Sequence, residues 1–76
     1  MPTKFIPTLI PVESSAIKAV AYEDDACDLF VQFHSGNIYK YRNVSISVFN
    51  KFMEVESKGY FLNAFIKLEY DYERVI

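Results

Sequence analysis

The sequence predicts an α+β domain: a three-stranded antiparallel β-meander with two helices packed on one face. Three observations predict it. Residues 28–42, DLFVQFHSGNIYKYR, alternate apolar and polar positions on both sides of a glycine-centred turn, as the strands of a hairpin do. Residues 48–55 and 61–66 place apolar side chains at helical spacing. Two helices with one apolar face each need a sheet to cover.

The chain has 76 residues, enough for one domain with a marginal core. Seven Phe and six Tyr compensate, because each buried aromatic removes about 150–250 Å² from water. A single cysteine leaves no internal disulfide, which points to a reducing, cytoplasmic setting. The N-terminal stretch holds three prolines and no apolar block of signal-peptide or membrane length, so no membrane partner is expected. A formal charge of −2 argues against broad nonspecific nucleic-acid binding and leaves room for a local basic patch.

Taken in order, residues 1–11 form an extended N-terminal arm, and residues 12–76 form the domain. Pro2, Pro7 and Pro11 prevent a helix in the arm. Phe5, Ile6, Leu9 and Ile10 are too apolar for a free tail. Two packings fit: against its own domain, or against a neighbour to give a homo-oligomer. Residues 14–22 read as a first strand with two possible faces: Ile17, Ala19 and Ala21, or Lys18, Val20 and Tyr22. Small residues at 19 and 21 would admit a helix closely. Acids at 23, 24, 25 and 28 lack the spacing and glycine of a calcium loop and read as a solvated turn.

The hairpin has two possible registers. A two-residue loop would pair Val31 with Lys40. A three-residue loop, His34-Ser35-Gly36, pairs Val31 with Tyr39 and Leu29 with Tyr41. The second separates the faces cleanly: Leu29, Val31, Phe33, Tyr39 and Tyr41 on one, and Phe30, Gln32, Ile38, Lys40 and Arg42 on the other. It also puts Gly36 where a G1 bulge needs positive φ. Ser45 or Ser47 then caps a first helix, whose apolar face is Val48, Phe49, Phe52, Met53 and Val55. Gly59 fits a C-cap or turn position. A second helix runs over about residues 60–68, with Phe61, Leu62, Phe65 and Ile66 inward. Residues 70–76 fit either a short strand or an ordered tail.

Ser14-Ser15, Tyr22, Leu29-x-Val31-x-Phe33, Gly36, Tyr39-x-Tyr41, Val44, Ser57-x-Gly59, Tyr60-Phe61-x-Asn63 and Ile66-Lys67 together form a recognisable pattern. Through them the chain resembles the KTSC family, small domains named after the C-terminal extension of some lysyl-tRNA synthetases. Two departures stand out: Ser45 where the family usually has proline, and Val55 where it usually has alanine. The resemblance implies RNA binding by association with a tRNA synthetase, not by chemistry.

No catalytic constellation accompanies these residues. The only histidine, His34, lies in the hairpin turn, and the only cysteine, Cys27, at a strand start. No Cys/His spacing fits zinc, and two distant glycines make no phosphate loop, so no cofactor is expected. Tyr39 and Tyr41 belong to the core face in the three-residue register; in the other register they would join Phe30 on the open face as a base-stacking platform.

Two surfaces are candidates for binding. The open sheet face would mix Phe30 with Lys40 and Arg42, as RNA-binding sheets do, unless the arm covers it. The corner at Ser57, Lys58 and Asn63 would offer backbone N–H groups and a cation to an anion, unless it is only a turn. The expected function is a non-catalytic binding module for RNA or a nucleotide-like anion. The alternative is a protein-interaction or homo-oligomerisation module, joined through the arm or the Phe30–Ile38 face.

Overall fold

The structure is a computed structural model and describes residues 6–76. The part of the arm holding Pro2 and Phe5 lies outside the described residues. Five antiparallel strands form one sheet in chain order: β1 (Ile10–Pro11), β2 (Ile17–Glu23), β3 (Asp28–Phe33), β4 (Ile38–Tyr41) and β5 (Tyr72–Arg74). Between β4 and β5 run α1 (Ile46–Glu54), α2 (Lys58–Phe61) and a π-helical turn (Leu62–Ile66). The α+β class therefore holds, and the strand count rises from three to five. The two added strands are two and three residues long: β1 is too short to show a period in sequence, and β5 is the strand reading of residues 70–76, one of the two that fit them. Both lie at sheet edges, and Pro11 is tolerated in one of them.

The central hairpin takes the three-residue register. Leu29 pairs with Tyr41, Phe30 with Lys40, and Val31 with Tyr39. The Phe33 N–H donates to the Asn37 carbonyl (3.0 Å), and the Gly36 N–H to the Phe33 carbonyl (2.9 Å). Gly36 sits at φ +102°, with nothing within 4 Å of a Cβ placed there. Conformation rather than space calls for glycine at this turn.

β2 contains a bulge that neither sequence alternation anticipates. Ile17 pairs with Phe33 and Ala19 with Gln32, which leaves Lys18 as the extra residue. Ile17 thereby joins Val20 under the helices. Strand parity sends Ala19 and Ala21 to the opposite side. The close neighbour of Ala21 is thus the N-terminal arm and not a helix.

Two apolar layers result. Under the helices lie Ile17, Val20, Leu29, Val31, Tyr41 and Val44, closed by Phe52, Leu62 and Ile66. Behind the sheet lie Ala21, Phe30 and Ile38, covered by Ile6, Leu9 and Val75. Of the two packings expected for the arm, the described part takes the one on its own domain, and Ile10 and Pro11 pair with Val20 and Ala19.

Local chemistry sets the helix ends. Ser45 caps α1, its Oγ accepting from the Val48 N–H at 3.3 Å. Val55 turns extended and ends the helix, so it is a cap and not a packing residue of the helix interior. Gly59 lies inside α2, where a Cβ would sit 3.2 Å from Ala16 Cβ. Glycine here permits close approach to the start of β2 and does not cap a helix. In the π turn the Lys67 N–H reaches back five residues to the Leu62 carbonyl (2.7 Å). Leu62 and Ile66 turn inward, while Phe65 stays 54% exposed instead of joining the core. Among the described residues, no helix is long and apolar enough to cross a membrane.

Candidate functional site

The six sequence-predicted site residues divide into two groups. Phe30, Lys40 and Arg42 lie on the sheet face away from the helices. Phe30 is only 1% exposed beneath Ile6 and Leu9, so no base can stack on it. Lys40 Nζ lies 3.9 Å from Asp28 Oδ2, and the Arg42 guanidinium donates to Glu73. Glu73 stands opposite Lys40 on β5. The open cation-and-aromatic face expected from the sequence is therefore corrected: its aromatic is covered and its cations face carboxylates. The sequence does not place Glu73, because residues 70–76 fit either a strand or a tail and neither reading gives a partner strand.

Ser57, Lys58 and Asn63 do come together. They line a cleft of about 340 Å³ with Ser14, Ser15 and Tyr60. Ser14 shapes one wall: its Oγ accepts from the N–H groups of Ala16 (3.2 Å) and Ile17 (3.1 Å). The His34 ring holds the same wall, with Nε2 2.9 Å from the Ser14 carbonyl. The other wall is the start of α2. Ser57 occupies the N-cap position, and its side chain makes no cap hydrogen bond. The first backbone N–H groups of a helix lack intrahelical acceptors and attract anions. Lys58 Nζ donates to the Val55 carbonyl at 3.1 Å, where the carbonyl end of α1 favours a cation. Glu56 also lines the cleft, so a bound anion must sit on the Lys58 side.

Ser14 and Ser15 were visible in the sequence as part of a pattern, but not as partners of Ser57. Only the close approach at Gly59 brings the two segments together. His34 ties the hairpin turn to the Ser14 wall, while Cys27 serves its own turn. Cys27 adopts φ 58° between β2 and β3, its Sγ 3.9 Å from the Asp24 carbonyl.

Two tyrosines anchor the sheet to what surrounds it. The Tyr22 hydroxyl donates to the Val44 carbonyl at 2.5 Å, and its ring stacks on Phe49 with centroids 4.8 Å apart. Burial, followed by the Cys27 thiol and the Asp24 and Asp28 carboxylates, pushes this phenol up to about 12. Burial, then Tyr39 and Tyr72, pushes Tyr41 up to about 12. A phenol whose folded pKa exceeds its unfolded value of about 10 contributes stability that is complete below that pH. That contribution is lost as the pH rises through about 12. Absorbance titration at 295 nm should show a step near pH 12 that loses amplitude in Tyr22→Phe and again in Tyr41→Phe. A full-sized step in both variants would contradict the assignment.

Comparison with known proteins adds the following. A family model described as KTSC domain matches residues 13–70. The lysine–tRNA ligase of Nostoc sp. is 37% identical over 67 residues, covering 88% of this chain and 12% of that one. This chain thus spans about an eighth of that ligase. A protein of Tsukamurella paurometabola is 40% identical over 57 residues, covering 75% of this chain and 85% of that one. The crystal structure of a KTSC domain protein from Yersinia pestis superposes with a TM-score of 0.84 at 31% identity, covering 91% of this chain and 97% of that one.

Proposed function

The chain belongs to the KTSC domain family, and from that premise we propose that it is a small non-catalytic binding module whose ligand is an RNA phosphate or a nucleotide-like anion. One observation carries the reading: Ser14 and Ser15 meet Ser57, Lys58 and Asn63 around a single cleft, although about forty residues of chain separate the two groups. Hydroxyls, an amide, a lysine and the exposed end of a helix are the groups that hold phosphates. The similarity to part of a lysine–tRNA ligase supports an RNA ligand. The reading assumes the reducing, cytoplasmic setting that the single cysteine suggests.

Calorimetric titration with a single-stranded RNA at about 50 mM salt should show binding that weakens as salt is added. Lys58→Glu should remove one phosphate contact and flatten the log–log salt slope by about 0.7. Absence of binding at low salt sinks the reading.

A second reading, a protein-interaction module, draws on the exposed side chains of Tyr60, Phe65 and Leu68. Self-association through the arm is less favoured, because residues 6–11 already occupy their own sheet. Light scattering that shows a dimer whose affinity falls in Leu68→Ala would favour this reading.

A further inference from the structure

The corner cleft is not the only cavity. A second one, of about 410 Å³, opens on the helix side of the sheet, where β4 and β5 run out from under the helices. Its walls are Phe33, Tyr39, Tyr41 and Tyr72, with Asn37 and Lys67 at its rim. The rings form a continuous set. Phe33 meets Tyr39 edge-on with centroids 5.7 Å apart, and Tyr72 lies 5.6 Å from both Tyr39 and Tyr41, tilted by about 40°. Tyr41 is buried and serves as the floor, while Tyr72 is 51% exposed and Tyr39 half-buried. Among the described residues Tyr72 is thus the open ring of the groove and Tyr39 a partly open one beside it.

The charge around these rings selects the ligand. Ring faces attract cations as well as flat ligands. Among the described residues no carboxylate lines the groove, and Lys67 is the one charged side chain that does. Arg74 stands opposite Tyr39 on β5. Its Nη2 donates to Asn37 Oδ1 and its Nε to the Ile76 main-chain oxygen, each at 3.0 Å, which leaves the remaining guanidinium N–H groups for a ligand. Two cations beside an aromatic floor repel an ammonium ligand and favour a flat ring that carries negative charge. The volume lies within the range of small-molecule sites.

The groove and the corner cleft draw on one helical segment. Asn63 lines the corner, and Lys67, the cap residue that ends the π turn, lines the groove four residues on. The hairpin turn separates the two: His34 contacts Ser14, and Phe33 and Asn37 border the groove.

We propose that the Tyr39–Tyr72 groove is a stacking site for an unpaired nucleobase whose phosphate is met by Lys67 and Arg74. The base comes either from a free mononucleotide or from a single-stranded RNA. The proposal deepens the reading of the corner cleft by assigning the base a separate place.

Calorimetry with a hexa-adenylate, an abasic oligomer of equal length, adenosine monophosphate and phosphotyrosine tests it, with NMR of the Tyr39 and Tyr72 ring protons. The hexa-adenylate should bind at least tenfold tighter than the abasic oligomer and shift both rings. Tyr72→Ala should weaken it about tenfold, the scale of one stacked base. Tyr72→Phe should restore it, and Lys67→Ala, at an exposed helical position, should weaken it several-fold. Binding of the monophosphate as tightly as the hexamer identifies the free nucleotide as the source; tighter binding of the hexamer identifies RNA. Equal affinity for the abasic oligomer, indifference to Tyr72→Ala in a folded protein, or preference for phosphotyrosine overturns the proposal. If abasic RNA binds equally and Lys58→Glu abolishes that binding, the corner reading survives and the groove proposal falls.

Discussion

Phe52→Ala should remove about 3–5 kcal/mol of folding stability. Phe52 is fully buried, faces the sheet from the middle of α1, and lies 6.0 Å from the Phe61 ring at the start of the second helical segment. It is the one residue of α1 that is fully enclosed, so its loss opens a cavity where sheet, α1 and α2 meet. Domains of this kind have roughly 0.05–0.15 kcal/mol of stability per residue, or about 4–11 kcal/mol for 76 residues. The substitution therefore takes between about a quarter and all of the total. Urea denaturation should show the midpoint falling sharply or the native baseline disappearing. Phe65→Ala is the control: the same chemical change at a half-exposed position should cost well under 1 kcal/mol. Equal costs at the two positions would mean that the helical segment is rotated from the face described.

Deleting residues 1–11 should cost about 2–4 kcal/mol and raise the tendency of the chain to self-associate. Ile6 and Leu9 are part-buried against Ala21, Phe30 and Ile38, and fully burying such a side chain is worth about 1.5–3 kcal/mol. Removing the arm also strips β1 from β2, which then becomes an unpaired edge. An apolar patch beside an open edge recruits another chain. Sedimentation or light scattering should therefore show concentration-dependent mass growth in the truncated protein, alongside a lower urea midpoint. A shortened chain that stays monomeric with unchanged stability would show that the arm does not cover Phe30.

These two residues also show why some sequence expectations held and others did not. Phe52 sits in a helix whose apolar period is complete, so its inward direction can be read locally. Phe30 sits in a strand with apolar residues on both faces, Leu29 and Val31 on one side and itself on the other. Alternation gives its face but not what covers it. The sequence expectation of an open binding face failed at that step, and at the ion pairs made by Asp28 and Glu73. Ser57, Lys58 and Asn63 could be grouped from the sequence because they lie on one short segment, and they line one cleft. Their partners Ser14 and Ser15 come from the far end of the chain.

From the sequence alone come the hairpin register, the two helical segments, the family and half of the corner cleft. Apart from the family, whose pattern runs from Ser14 to Lys67, each rests on residues a few positions apart, where backbone period, turn geometry and capping act directly. The tertiary structure alone decides the bulge at Lys18, the roof over Phe30, the pairing of β5 beside β4, and the exposed tyrosine groove. Those features depend on which distant segments meet. Short edge strands and one-residue bulges carry too little periodic signal to announce a contact made only when the whole core closes.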